Sequence, residues 1–141
     1  MTSSQPVVTP NAINFTPDNK RCYAYGGTNA SSATSTTYLL FDTNSEYIIG
    51  EFQINAGLDD DTPSESVAPT TLLIKFNDIG IAIIGTGGGS TDRRPSSTIQ
   101  RLIIPPFTKV ECIVDSLDAA DKYNSVTFTG EAVGMIKTDF Q

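Results

Sequence analysis

The sequence predicts an all-β domain, an antiparallel β-sandwich for which a jelly roll is the expected arrangement. In short runs, apolar residues alternate with polar ones, which is the period of a β-strand with one buried face. Turn-forming residues separate these runs at short spacing. No segment is long enough for the helices that connect parallel strands, so a parallel α/β fold is excluded. The 141 residues are enough for one domain with its own core.

Residues 1–20 are predicted to form an extended N-terminal arm, and residues 21–141 a single β-sandwich domain. Prolines recur in the arm among serine, threonine and asparagine, and proline disfavours helix on both of its sides. Two interpretations stay open: the arm lies along a neighbouring chain, or it is a frayed terminus. The residues expected to contact another subunit in the first case are Pro6, Val7, Val8 and Pro10.

The first half of the domain contains three predicted strands. A short strand is expected around Cys22–Tyr25, followed by a turn at Gly26 and Gly27. The runs "TTYLLF" and "EYIIGEFQI" predict two further strands, separated by the turn cluster "DTNS". One face of the second run is formed by Ile48, Gly50, Phe52 and Ile54.

A long acidic loop then leads into a predicted hairpin-like unit. Its first strand, in "TTLLIKF", is expected to turn Leu72, Ile74 and Phe76 inward, and a tight junction at Asn77-Asp78 leads into the second. Three isoleucines of the second strand, "IGIAII", share one face. They are Ile79, Ile81 and Ile83. The glycine-rich loop that follows ends the unit.

The remaining sequence predicts three more strands, for a total of about eight. Two of them lie on either side of Pro105-Pro106 in "STIQRLIIPPFTKVECIVD". In the second, Val110, Cys112 and Val114 alternate with Lys109, Glu111 and Ile113. One long strand follows in "NSVTFTGEAVGMIK", where Gly130 and Gly134 predict a bulge or a close approach to another backbone. One face of this strand holds Val126, Phe128, Gly130, Ala132 and Ile136.

Composition limits the classes of partner and chemistry. A net charge of −7 and a pI near 4.3 disfavour partners bound through phosphates, so we expect no nucleic acid and no membrane. The chain has no histidine, the commonest general base and zinc ligand. The first residues lack the pattern of a signal peptide, so folding in a reducing cytoplasm is expected. There Cys22 and Cys112 are expected to be free, buried thiols, with a disulfide between them as the alternative.

The stretch "IGTGGGSTDRR" has the composition of a phosphate-binding loop. Such a loop needs a lysine and then Ser or Thr after the glycines, followed by a helix. Here no lysine follows the glycines, and Pro95 leads into a strand. The loop is therefore interpreted as a connector. Its arginines, Arg93 and Arg94, are expected either to pair with an acidic loop of a neighbouring subunit or to be solvated.

The other candidate sites favour structural interpretations. The run Asp59–Asp61 lacks the alternating spacing and closing glutamate of an EF-hand, so a solvated loop is favoured over calcium. No acid lies within an apolar face, as a glycosidase pair requires, and no G-x-S-x-G motif is present. The tyrosines could stack on sugars, but in small β proteins they more often lie at the edge of the core. We therefore predict no catalytic, cofactor or metal-binding residue and no enzymatic activity.

The segment "LIIPPFTKVECIVDSLDAADKYNSVTFTGEAVGMI", residues 102–136, resembles the C-terminal half of small β-sandwich virion proteins of tailed bacteriophages. In that family an apolar strand runs into Pro-Pro and Phe, an alternating strand follows, and a "VTFTG" strand ends the domain. The resemblance implies a head decoration or cement protein on the capsid surface. Such a protein binds the major capsid protein or other virion subunits as a homo-oligomer, with a trimer favoured, and needs no cofactor. The alternative is a tail or fibre module that binds a carbohydrate or a receptor.

Overall fold

The computed structural model describes residues 13–31, 35–56, 70–86, 96–116 and 122–135. These residues form nine β-strands and no helix, which confirms the predicted all-β fold. The strands are β1 (Asn14–Phe15), β2 (Arg21–Ser31), β3 (Thr36–Asp42), β4 (Glu46–Ala56), β5 (Thr70–Phe76), β6 (Ile79–Thr86), β7 (Ser96–Ile104), β8 (Lys109–Ser116) and β9 (Lys122–Met135). The sequence prediction did not include β1, which has only two residues.

The strands form two antiparallel sheets that pack face to face. The five-stranded sheet has the order β1-β2-β9-β4-β7, and the four-stranded sheet has the order β3-β8-β5-β6. From β2 to β9 the chain changes sheet at every connection except β5–β6, so strands distant in sequence become neighbours. Without β1, each sheet has four strands in the order that two Greek-key motifs produce. The expected jelly roll is therefore confirmed.

The core lies between the sheets and has an aromatic centre. The ring centroid of Phe128 on β9 lies 4.8 Å from that of Phe52 on β4 and 5.0 Å from that of Phe41 on β3. All three side chains are buried, so they join the two sheets at the middle of the sandwich. The faces predicted by alternation in β4 and β8 are the buried ones. Other large side chains in the core are Tyr38, Leu39, Ile48, Ile54, Leu72, Ile74, Ile104 and Val110.

The turn predicted at Gly26 and Gly27 is wrong. Instead, β2 continues through both glycines, and its pairing with β9 stays regular as far as Thr28. A Cβ atom at Gly26 would overlap the carbonyl oxygen of Tyr38 on β3. Glycine is therefore needed here because two strands of opposite sheets approach closely, and not because the chain reverses direction.

Of the two roles predicted for glycine in β9, the structure shows the bulge, at Gly134; the close neighbours of Gly130 are side-chain atoms and not another backbone. A Cβ atom at Gly130 would lie only 2.7 Å from the Cγ2 atom of Ile48 on β4, so the small residue permits a close approach. Gly134 has a φ of +132° and lies beside a bulge in the pairing with β4, which leaves Val133 without a register partner there. Ile136, assigned to the same face as Gly130, lies outside the described residues.

Residues 13–20 of the segment predicted to form an arm belong to the folded domain. Asn14 pairs with Tyr23 on β2, and the backbone N–H of Thr16 donates to the carbonyl of Arg21 at 2.9 Å. The side chain of Phe15 packs against the core. Residues 1–12 lie outside the described residues, so an extended arm with subunit contacts at its prolines and valines stays a prediction.

The described turns lie at one end of the sandwich. In the β5–β6 turn, Asn77 and Asp78 have φ values of 49° and 68°, which identifies the predicted tight junction as a two-residue hairpin. The hydroxyl of Thr43 donates to the carbonyl of Pro105 at 2.8 Å and accepts from the N–H of Thr108 at 2.9 Å, which ties two neighbouring turns together. The connections at the other end lie outside the described residues and comprise residues 32–34, 57–69, 87–95 and 117–121.

Candidate interaction surface

The charged residues that sequence reasoning proposed for contacts lie in two connections outside the described residues. Arg93 and Arg94 belong to the glycine-rich connection, and Asp59–Asp61 belongs to the acidic one. The two alternatives for the arginines, and the solvated loop favoured over calcium for the aspartates, therefore stay predictions.

The structure does show where these two connections are attached. Ala56, at the end of β4, pairs with Ser96, at the start of β7. Thr70, at the start of β5, pairs with Thr86, at the end of β6. Each connection thus starts beside the strand end where the other one finishes, so the two are attached side by side at the end of the sandwich opposite the described turns.

Polar groups in the described interior are neutral. The buried polar residues are Thr43, Thr70, Thr108 and Asn124. Within the described ranges, no three His, Cys, Asp or Glu residues form a group that could hold a metal ion. The hydroxyl of Thr43 illustrates how the interior uses such groups, since it serves backbone hydrogen bonds between turns.

Both cysteines are free and buried, as predicted, with Cys22 in the five-stranded sheet and Cys112 in the four-stranded sheet. Burial disfavours the charged thiolate and raises the pKa of Cys22 from its usual 9.0 to about 11. Burial, and secondarily the carboxylate of Glu111, raises the pKa of Cys112 as well. At neutral pH both thiols are therefore protonated side chains of the core.

The raised pKa of Cys22 predicts a loss of stability at alkaline pH. The unfolded chain releases the thiol proton near pH 9.0 and the folded chain near pH 11. The contribution of the protonated thiol to the free energy of unfolding is therefore complete below pH 9.0 and is lost as the pH rises towards 11. This thiol lowers the free energy of unfolding by at most about 1.4 kcal/mol for each pH unit in that range. Urea denaturation at a series of pH values should show a smaller fall for Cys22→Ala than for the unsubstituted protein. Equal falls would contradict this assignment.

The outer face of the five-stranded sheet is polar at its centre. Arg101 on β7 donates from Nε to the carboxylate of Glu51 on β4 at 2.9 Å. Arg21 on β2 and Glu131 on β9 are register partners beside them. These four side chains line a shallow, open depression of about 310 Å³. Because it combines opposite charges in pairs, this depression does not select a ligand of one sign.

One side of the sandwich is apolar, and we call it the isoleucine side. It consists of five exposed residues on the edge strands β6 and β7, namely Ile79, Ile81, Ile83, Ile99 and Ile103. Their exposed fractions are 66%, 47%, 72%, 51% and 63%, which is high for large apolar side chains. Ile83 lies on the outer face of the four-stranded sheet, and Ile99 and Ile103 lie on the outer face of the five-stranded sheet, so they flank the β6–β7 edge from both sheets. The two strands are the last of their sheets and lie next to each other, since the Thr98 hydroxyl on β7 donates to the Gly85 carbonyl on β6 at 3.1 Å.

Sequence reasoning placed the β6 isoleucines on one face, and the bulge at Ile81 makes this wrong for Ile79, which pairs with the core-facing Phe76 whereas Ile83 pairs with the outward-facing Leu73. The exposure of these isoleucines was not predicted. The alternate positions of β6 are also apolar, and in the structure Ile84 is buried and Ala82 is partly buried. A strand that is apolar on both faces gives no period-two signal for its inward side. The exposure of the isoleucines follows from the position of β6 at the sheet edge, which depends on strand order.

No protein-family model matches the chain, and no curated protein matches it. In the part of the chain that the structure describes, no helix has the length and apolar character needed to cross a membrane.

Proposed function

We propose that this protein is a structural virion protein that decorates an assembled bacteriophage head. It is made in the host cytoplasm and binds the major capsid protein or other virion subunits at the capsid surface, as a homo-oligomer for which a trimer is favoured. The isoleucine side carries this proposal, because a concentrated apolar surface marks contacts with other proteins. The fold supports the proposal, since viral capsid domains are among the proteins built as jelly rolls.

Charge and symmetry support the same function. The net charge of −7 suits the outer surface of a shell, away from packaged DNA. In a symmetric oligomer on a symmetric shell, each contact is repeated, so modest individual affinities add up to stable attachment. Attachment of this kind needs a rigid domain with adhesive surfaces rather than a deep cleft.

The proposal predicts that the purified protein sediments together with undecorated shells from the same source. Binding should saturate as protein is added, because the shell offers a fixed number of repeated sites. Shells that already carry their decoration serve as the control and should bind little additional protein. Failure to bind any shell from that source would contradict the proposed function.

A second candidate function, binding a carbohydrate or a receptor as a tail or fibre module, is favoured by one observation. The rings of Tyr23 and Tyr25 lie 5.1 Å apart on the outer face of β2, and Tyr25 is half-exposed. Aromatic faces beside polar groups suit the stacking of sugars, and Thr127 is the register partner of Tyr25. A glycan array, run with and without calcium, tests this function. Sugar binding that Tyr25→Ala abolishes would favour it over shell decoration, whereas absence of glycan binding would remove its support.

A further inference from the structure

We infer that the isoleucine side is the surface through which copies of this chain contact one another, with β6 and β7 turned towards the symmetry axis of a homo-oligomer. Five of the ten exposed large hydrophobic side chains in the described ranges lie on these two adjacent strands. The opposite side of the sandwich, where β2 approaches β3, has only Tyr25 among the ten. Exposure this uneven in one domain is explained if one side is covered in the assembled protein.

The edge strand β6 lacks the usual protection against association. Its residues, Ile79–Thr86, include no charged side chain and no proline, the devices that most often keep an exposed strand edge from pairing. The bulge at Ile81, opposite Ile74 and Lys75, is the one such device in the strand. A soluble protein can retain an apolar edge of this kind when another chain covers it.

The apolar surface continues from β6 across the outer face of the four-stranded sheet. Ile83 is the register partner of Leu73 on β5, and Leu73 is in turn the partner of Ile113 on β8. Leu73 and Ile113 are each partly exposed. The three side chains form an apolar row over three strands, so the surface is broad enough to pack against a domain and is not confined to one edge.

The near absence of charge on this side favours a second copy as its occupant. Each chain carries a net charge of −7, so two copies repel each other over most of their surfaces. Within β6 and β7 the single charged residue is Arg101, which pairs with Glu51. Identical acidic copies therefore meet least repulsion on this side, whereas a basic partner would be drawn to the carboxylates elsewhere. In a cyclic oligomer, the side of each copy nearest the symmetry axis contacts the same side of the other copies. One apolar patch per chain is therefore sufficient to hold the oligomer together.

The inference is tested by placing charge on the isoleucine side. Ile83→Lys combined with Ile103→Lys should reduce the mass in sedimentation equilibrium at micromolar concentration from a multiple of 15.1 kDa to that of a single chain. Both positions are exposed, so the circular dichroism spectrum should stay unchanged. Tyr25→Lys combined with Val133→Lys adds the same charge at exposed apolar positions elsewhere and should leave the oligomer intact. An unchanged mass for the first variant, or a monomeric unsubstituted protein, would overturn the inference.

A cross-linking measurement tests the same contact between copies without adding charge to the surface. Because both native thiols are buried, Ile83→Cys introduces a uniquely reactive cysteine, and a short bis-maleimide should join copies through it. Val133→Cys, equally reactive but away from this side, should give only single chains. The reverse pattern would overturn the inference. The inference does not require shell binding, and an oligomer that binds no shell contradicts only the proposed function. A monomer that binds shells contradicts this assignment and the proposed oligomeric state, but not shell decoration.

Discussion

Replacing Phe128 with alanine is expected to destabilise the fold by about 3–5 kcal/mol, the largest effect of any single substitution considered for this chain. The ring is fully buried and contacts Phe41 and Phe52, so it connects β9 to a strand of each sheet. It also fills the space above Gly50, where a Cβ atom would overlap the ring. Because β9 and β4 are each paired with a strand on both sides, they resist the movement that would close the cavity that alanine leaves.

Urea denaturation followed by circular dichroism measures this effect. A loss of that size is a large share of the roughly 5–15 kcal/mol that stabilises a typical domain, so Phe128→Ala is expected to be partly unfolded near physiological temperature. Thr127→Ala is the matched control, since its side chain lies on the outer face of the same strand. The control should change the free energy of unfolding by less than about 1 kcal/mol. If Phe128→Ala also lowered the free energy of unfolding by less than about 1 kcal/mol, the claim that Phe128 lies at the centre of the core would be contradicted.

Replacing Gly26 with alanine is expected to destabilise the fold by about 1–3 kcal/mol, through overpacking between the sheets. The new Cβ atom would overlap the carbonyl oxygen of Tyr38 and lie 2.9 Å from the Cδ2 atom of Leu39. Rotation of a side chain does not relieve an overlap with a backbone oxygen, so β2 and β3 must move apart. This distinguishes Gly26 from a turn glycine, whose substitution would strain only its own backbone.

Thermal unfolding of Gly26→Ala and Gly85→Ala makes the comparison. At Gly85 the nearest atom to an added Cβ lies 3.7 Å away, an ordinary contact, so alanine fits in the strand. We expect Gly85→Ala to leave the melting temperature unchanged or raise it slightly, because alanine restricts the unfolded chain by about 0.4–1 kcal/mol. For Gly26→Ala we expect a fall of several degrees, at roughly 4 °C per kcal/mol. Equal melting temperatures would contradict the close approach of β2 and β3.

Strands with one buried face could be predicted from the sequence, and strands with unusual environments could not. In β4 the polar residues Glu51 and Gln53 flank Phe52, which was correctly placed on the inward side. In β8 Lys109 and Glu111 alternate with Val110 and Cys112, and Cys112 was also placed correctly. The full length of β2 was not predicted. In the sequence alone, a pair of adjacent glycines looks the same whether it forms a turn or allows two strands to approach closely. The two-residue strand β1 is too short to show a period.

The candidate surface could be predicted only in part for a different reason. Alternation assigned Ile79, Ile81 and Ile83 to one face, but the bulge at Ile81 interrupts that face. Their exposure depends on β6 being the last strand of its sheet. The contribution of Ile99 and Ile103 depends on β7 lying beside β6, although the two strands belong to different sheets. Such proximity arises from connections that change sheet, and no local pattern records it.

The most direct test of the central claim is a density map of the native shell with this protein bound. We expect additional density on the outer surface, arranged as symmetric clusters. Each cluster should contain several copies of one-domain size, with the β6–β7 side of each copy facing the cluster axis. Density for isolated single copies, for clusters joined through the β2–β3 side, or for no bound protein would contradict the claim that copies associate through the isoleucine side and decorate the shell.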